Sequence, residues 1–104
     1  MNETALKKQC LEWLAIKGIF AYKQNCGGFK NPTGGFYRFS SMNGLPDIVC
    51  IIKGKYIGVE LKVDKKEQSD FQIIFQENLE KAGGAYYIIR SLEDLEKVVK
   101  EEAK

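Results

Sequence analysis

The chain has no histidine, only two prolines and three cysteines, and no apolar run approaching the ~18 residues that span a bilayer. Without histidine, Ser-His-Asp and Cys-His triads are excluded, as is any metal centre or nuclease that relies on an imidazole ligand or base. Catalysis, if there is any, falls to carboxylates, lysine or tyrosine. Cys10, Cys26 and Cys50 are odd in number, widely spaced and without a CxxC pair, so neither disulfides nor structural zinc are expected. The start, Met1-Asn2-Glu3-Thr4, lacks the basic and then apolar segments of a secretory signal. An intracellular, cytoplasmic protein with no membrane partner is expected.

What is present fits one globular unit. The 104 residues, 44% hydrophobic and 29% charged, suit a single domain over 1–104 with one core. The net charge is +2, but residues 1–46 hold six Lys/Arg against two Glu, while residues 47–104 hold ten against twelve acidic groups. The basic excess is N-terminal, where it can attract a polyanion.

Asn2 can cap a helix over about 3–17, with Leu6, Cys10, Trp13 and Leu14 at helical spacing and Gly18 as its stop. Residues 19–24 read as a strand. The breaker-rich stretch 25–35 reads as a mobile loop, followed by a short aromatic strand, Phe36 to Phe39, and a polar turn to Gly44. Runs 47–52 and 55–62 flank Lys53-Gly54, a two-residue hairpin signal. A second helix is predicted over 68–82 with Phe71, Ile74, Phe75, Leu79 and Ala82 on its inward stripe, ended by Gly83-Gly84. Residues 85–90 form a further strand, and Ser91 with Asp94 resembles a capping box opening a last helix to about 101. The order is α-β-β-β-β-α-β-α. Both faces of the central hairpin are largely apolar, which predicts an α/β fold with a mixed β-sheet flanked by helices.

Chemistry concentrates at the open end of that hairpin. With Ile52 and Lys55 flanking the turn, Asp47 lies opposite Glu60, about 5 Å away between Cβ atoms, an arrangement that costs energy unless a cation or proton intervenes. Lys62 is two residues on and shares the face. Two hard carboxylates can hold Mg²⁺, which activates water and offsets charge developing on a phosphate, while a lysine orients that water or stabilises the transition state. The competing reading of Glu60 and Lys62 is an ordinary surface ion pair, against which the coincident Asp47 weighs. Glu3 falls on the apolar stripe of the first helix, a costly place for an unpaired carboxylate; a plain helix-dipole partner is the alternative.

Pro46-Asp47, twelve residues, then Glu60-Leu61-Lys62 resembles the PD-(D/E)XK nuclease motif. Together with Glu3, Gly18-Ile19-Phe20, Gly44-Leu45, Ser69-x-x-Gln72 and Gly83-Gly84-Ala85, the chain resembles the virus-type replication-repair nuclease (VRR-NUC) domain, in its compact phage and bacterial form, over about residues 3–98. The resemblance implies a restriction-endonuclease-like fold and Mg²⁺-dependent DNA phosphodiester hydrolysis, Mn²⁺ substituting. Asp47, Glu60 and the Leu61 carbonyl would be metal ligands, Lys62 would position the attacking water, Glu3 would help bind metal directly or through water, and Gln72 would order the site. By periodicity Gln72 is at the edge of its helix's apolar stripe and Gln68 closer to the centre; the family spacing favours Gln72, with Gln68 and Gln76 as ordinary helix-surface alternatives. The resemblance further implies a homodimer cutting four-way (Holliday) junctions in DNA repair, without a nucleotide cofactor.

Lys7, Lys8, Lys17, Lys23, Lys30 and Arg38, interleaved with aromatic residues, suit phosphate contact and base stacking, although Phe36 and Phe39 also read as core. Lys65-Lys66 can hold the scissile strand or form a solvated turn. The rival readings are an archaeal-type resolvase or restriction-like endonuclease with other substrates, and a non-catalytic DNA-binding accessory protein. Gly18-Ile19-Phe20 and Tyr56-Ile57-Gly58 are too far apart for a GIY-YIG nuclease.

Overall fold

In a computed structural model, the structure describes residues 2–24, 28–30, 36–38, 44–64 and 67–104, with side chains described outside 28–30 and 36–38. The elements in chain order are α1 (Glu3–Ile16), β1 (Phe20–Lys23), β2 (Gly28–Lys30), β3 (Phe36–Arg38), β4 (Ile48–Ile52), β5 (Lys55–Leu61), α2 (Asp70–Lys81), β6 (Ala85–Ile89) and α3 (Leu92–Glu102). The fold is α/β, with a four-stranded mixed sheet in the order β1-β4-β5-β6. β1 and β5 run antiparallel to β4, and β6 runs parallel to β5.

The β4–β5 hairpin has the register that its two-residue turn demands. Ile52 faces Lys55 and Ile48 faces Val59, and the turn is made by Lys53 and Gly54 in the left-handed region, with φ of 54° and 77°. Alternation along the strands then separates two layers. Ile48, Cys50, Ile57, Val59, Leu61 and Ile89 join Leu6, Cys10 and Leu14 of α1 and Leu95 and Val98 of α3 in one buried cluster. The opposite face carries Val49, Gly58, Glu60 and Tyr86, and α2 covers it, with Phe75 packed on Tyr86 at 6.0 Å between ring centroids.

Two expectations need correction. Gly28–Lys30 is not loop but a strand, paired with β3 from Gly28↔Arg38 to Lys30↔Phe36. The glycines and asparagines around it hide three residues with enough extended character to form a short ladder. The rest of the expected loop, 25–27 and 31–35, lies outside the described residues, as does Phe39. The second correction is the inward stripe of α2. Phe71 and Ile74 are 59% and 54% exposed and Ala82, past the helix end, is exposed too, while Gln72, Phe75, Gln76 and Leu79 are the half-buried positions. α2 also starts at Asp70 rather than 68.

The helix caps agree with the sequence signals. Asn2 Oδ1 accepts from Ala5 N–H at 2.8 Å, Ser69 and Gln72 form a full capping box, and Ser91 Oγ accepts from Asp94 N–H at 3.3 Å. Asp94 does not close the reciprocal half of a box; its carboxylate accepts from Arg90 N–H, one residue further back, at 2.9 Å. Among the described residues no helix is long and apolar enough to cross a membrane.

Candidate active site

The segment carrying Asp47 is fixed by close packing on both sides. Gly44 has φ of +82°, and a Cβ there would lie 2.3 Å from the Phe71 carbonyl oxygen. Only glycine lets this turn rest on the first turn of α2. Two residues later the buried Pro46 ring packs over Gly58 of β5, where a Cβ would lie 2.8 Å from Pro46 Cγ. The Asp47 carbonyl then accepts from Gln24 N–H at 2.8 Å. The backbone at Asp47 is therefore anchored by β1, β5 and α2 together.

From that anchor the side chain reaches across the open end of the hairpin. Asp47 Oδ2 accepts from Leu61 N–H at 2.9 Å, while Oδ1 lies 3.7 Å from Lys7 Nζ. Lys62 N–H bonds to the Ile89 carbonyl on the β6 side, and alternation along the strand directs the N–H and C=O of Leu61 to the side of Asp47. A carbonyl oxygen is thus available beside the two carboxylates.

Glu60 is the one buried charged residue among those described, at 4% exposure. Burial pushes its carboxyl up to about 9; a hydrogen bond to Asp47 and the negative charges of Asp47 and Glu3 push the same way, and only the Lys62 ammonium opposes them. At neutral pH, Glu60 therefore carries a proton that it shares with Asp47. α2 supplies the remaining contact: Gln72 Nε2 donates to Glu60 Oε2 at 2.7 Å, while Gln72 Oε1 accepts from Ser69 N–H at 2.9 Å. Gln68 is instead bonded to Gln76 at 2.7 Å.

The hairpin thus brings Asp47, Glu60 and Lys62 together, and Gln72 joins them. Glu3, half-buried on α1, acts on Glu60 through its charge. Among the described residues, no three or more His, Cys, Asp or Glu side chains gather as a metal-holding group, so the carboxylates here are a pair. Lys7 faces Asp47, whereas sequence reasoning places it only among the substrate contacts. With Lys8 and Lys23 it also lines a groove between α1 and β1. Lys30 and Arg38 sit on β2 and β3, and their side chains, like all of Lys65 and Lys66, lie outside the described residues.

One contributor has no sequence signal. Arg90 Nη1 donates to the carbonyls of Lys62, at 3.4 Å, and Asp64, at 3.1 Å. Asp64 has φ of 58°, an uncommon left-handed conformation for a residue with a side chain. Arg90 holds the turn by which the chain leaves Lys62. Nothing in a single arginine after a strand announces that contact.

Comparison with models of protein families gives no match for the chain, and comparison with curated proteins gives none either. The functional reading therefore stands on the chemistry of this site. Its donor set suits a small hard cation: two carboxylate groups and a backbone carbonyl. A divalent ion replacing the Glu60 proton removes the repulsion that the fold otherwise relieves by protonating Glu60.

Proposed function

We propose that the chain is a divalent-metal-dependent DNA endonuclease, and that Asp47, Glu60 and the Leu61 carbonyl hold Mg²⁺, or Mn²⁺ in its place. The observation carrying this reading is the buried Glu60 carboxyl against the half-buried Asp47 carboxylate, with the Lys62 charge acting on Glu60. The resemblance of the Pro46-Asp47, Glu60-Leu61-Lys62 and Ser69-x-x-Gln72 strings to the VRR-NUC domain supports it.

When bound, the ion supplies a Lewis acid that lowers the pKa of a coordinated water and offsets charge on the phosphoryl oxygens. The chain's own residues do the rest. Lys62, directly after β5 and acting on Glu60 through its charge, would orient the attacking water and stabilise the charge developing on the phosphate. Gln72 holds Glu60 in one orientation, and Leu61 N–H does the same for Asp47, so the donors are arranged before the ion arrives. Glu3 adds negative potential from α1, and would help hold the ion directly or through water. The lysines along α1 and β1 contact the DNA backbone. Among the described residues no set of side chains suggests base reading, and the substrate would be selected by shape. Action on four-way junctions as a homodimer carries over from the resemblance alone.

The test is a cleavage panel of supercoiled, linear, flap, splayed-arm and four-way DNA in Mg²⁺, read alongside the solution mass. Cleavage that disappears in Asp47→Ala and on chelation supports the reading. DNA binding without cleavage, equal in wild type and Asp47→Ala, assigns the chain to an accessory role.

A further inference from the structure

We propose that Lys7 is a resident counter-ion of this site: its ammonium holds the outer oxygen of Asp47 until a divalent ion arrives, then passes to a phosphate of a nucleic-acid strand in the groove between α1 and β1. This deepens the reading of Asp47 and Glu60 as an ion-binding pair and rests on it.

The two oxygens of Asp47 are not equivalent. Oδ2 accepts from Leu61 N–H at 2.9 Å, whereas Oδ1, 3.7 Å from Lys7 Nζ, is the oxygen at which an ion and the ammonium compete. An ammonium and a dication within contact distance of one oxygen repel each other, so occupancy by one disfavours the other. Lys7 is free to yield. Its side chain is partly exposed, and its long flexible stem can redirect the head group by rotamer changes alone.

The groove gives the displaced ammonium somewhere to go. Lys7 lines it together with Thr4, Lys8, Leu11, Glu12 and Lys23, three ammonium groups against one carboxylate. Its β1 wall begins at the site, because Lys23 pairs with Ile48 and the next residue, Gln24, donates to the Asp47 carbonyl. Several lysines spaced along a groove with an apolar residue between them suit a phosphodiester strand better than a small anion. Lys7 stands where this groove meets the carboxylates, so the ion and the strand are coupled through one side chain. The coupling is reciprocal: the ion releases Lys7 to the strand, and the strand draws Lys7 away from the ion's oxygen.

The experiment compares the wild-type chain with Lys7→Gln and Lys7→Arg. Calorimetric titration with Mn²⁺ in the absence of DNA reads the first half, and fluorescence anisotropy of a short single-stranded oligonucleotide, with and without Ca²⁺, reads the second. Lys7→Gln should bind Mn²⁺ roughly threefold more tightly than wild type, the factor expected from removing one partly exposed ion pair. Its gain in strand affinity on adding Ca²⁺ should shrink, while Lys7→Arg should behave as wild type in both measurements. Equal or weaker Mn²⁺ binding by Lys7→Gln, or an undiminished Ca²⁺-dependent gain, overturns the role of Lys7 alone. Absence of Mn²⁺ uptake by the wild-type chain overturns the ion-binding pair and this inference with it.

Discussion

Gln72 joins helix cap and site through a single amide. Its Oε1 accepts from Ser69 N–H at 2.9 Å and its Nε2 donates to Glu60 Oε2 at 2.7 Å, so the bond that closes the start of α2 also dictates which atom faces the buried carboxyl. Turning the amide over would set an oxygen against Glu60 and lose the Ser69 N–H half of the capping box.

Substitutions at Gln72 should therefore separate the two duties. Gln72→Glu keeps an acceptor for Ser69 N–H but brings another carboxylate to Glu60, so cleavage should fall sharply with the helix content unchanged. Gln72→Ala should also lose up to about 1 kcal/mol of stability with the reciprocal half of the capping box, while the Ser69 Oγ bond to its backbone N–H remains. Denaturant titration beside a turnover assay checks both; a Gln72→Glu variant with wild-type turnover would show that the contact to Glu60 is incidental.

Glu60 sets the pH dependence of the ion-free protein. Its carboxyl, ordinarily at 4.5, is pushed up to about 9 by burial first and then by Asp47, so between those values the folded state holds a proton that the unfolded chain has released. Stability therefore falls as pH rises through this window. Glu60→Gln keeps the shape and removes the titration: its urea midpoint should change less than that of wild type between about pH 5 and about pH 8, and it should not cleave DNA. A wild-type midpoint that rises over the same interval would contradict the assignment.

Arg90 is a positioning residue in this account. By clamping the Lys62 and Asp64 carbonyls it fixes where the strand ends and where the Lys62 ammonium starts. Arg90→Ala should lower turnover by about tenfold, short of the ~100-fold that a ~1 Å misplacement at a reacting centre can cost, with DNA affinity nearly unchanged. Arg90→Lys should recover part of it. Equal losses in turnover and binding would instead make Arg90 a DNA contact.

Gly58 tests the packing behind Asp47. Gly58→Ala places a methyl 2.8 Å from Pro46 Cγ, and overpacking of this kind costs about 1–3 kcal/mol. Because the displaced segment carries Asp47, ion affinity should fall with stability. A thermal scan and an Mn²⁺ titration on the same variant measure both.

The parts of this site that could be read in the sequence are those fixed by short-range geometry. A two-residue turn leaves the hairpin one register, so the opposition of Asp47 and Glu60 and the shared face of Lys62 follow from counting. The position of Gln72 does not follow from periodicity, because α2 leaves Phe71 and Ile74 exposed and turns a partly polar face inward to meet a buried carboxyl. The pairing of Lys7 with Asp47 joins residues distant in sequence, and a helical lysine gives no sign of its partner. Gly58 reads as an ordinary strand glycine until Pro46 is seen lying over it.

The most direct test of the central claim, that Asp47 and Glu60 exchange a shared proton for a divalent ion, is calorimetric titration of the wild-type chain with Mn²⁺ at about pH 7 in buffers of different ionisation enthalpy. The account predicts saturable uptake with close to one proton released for each ion bound, and no such release in Glu60→Gln. Uptake without proton release, or no uptake at all, would contradict it.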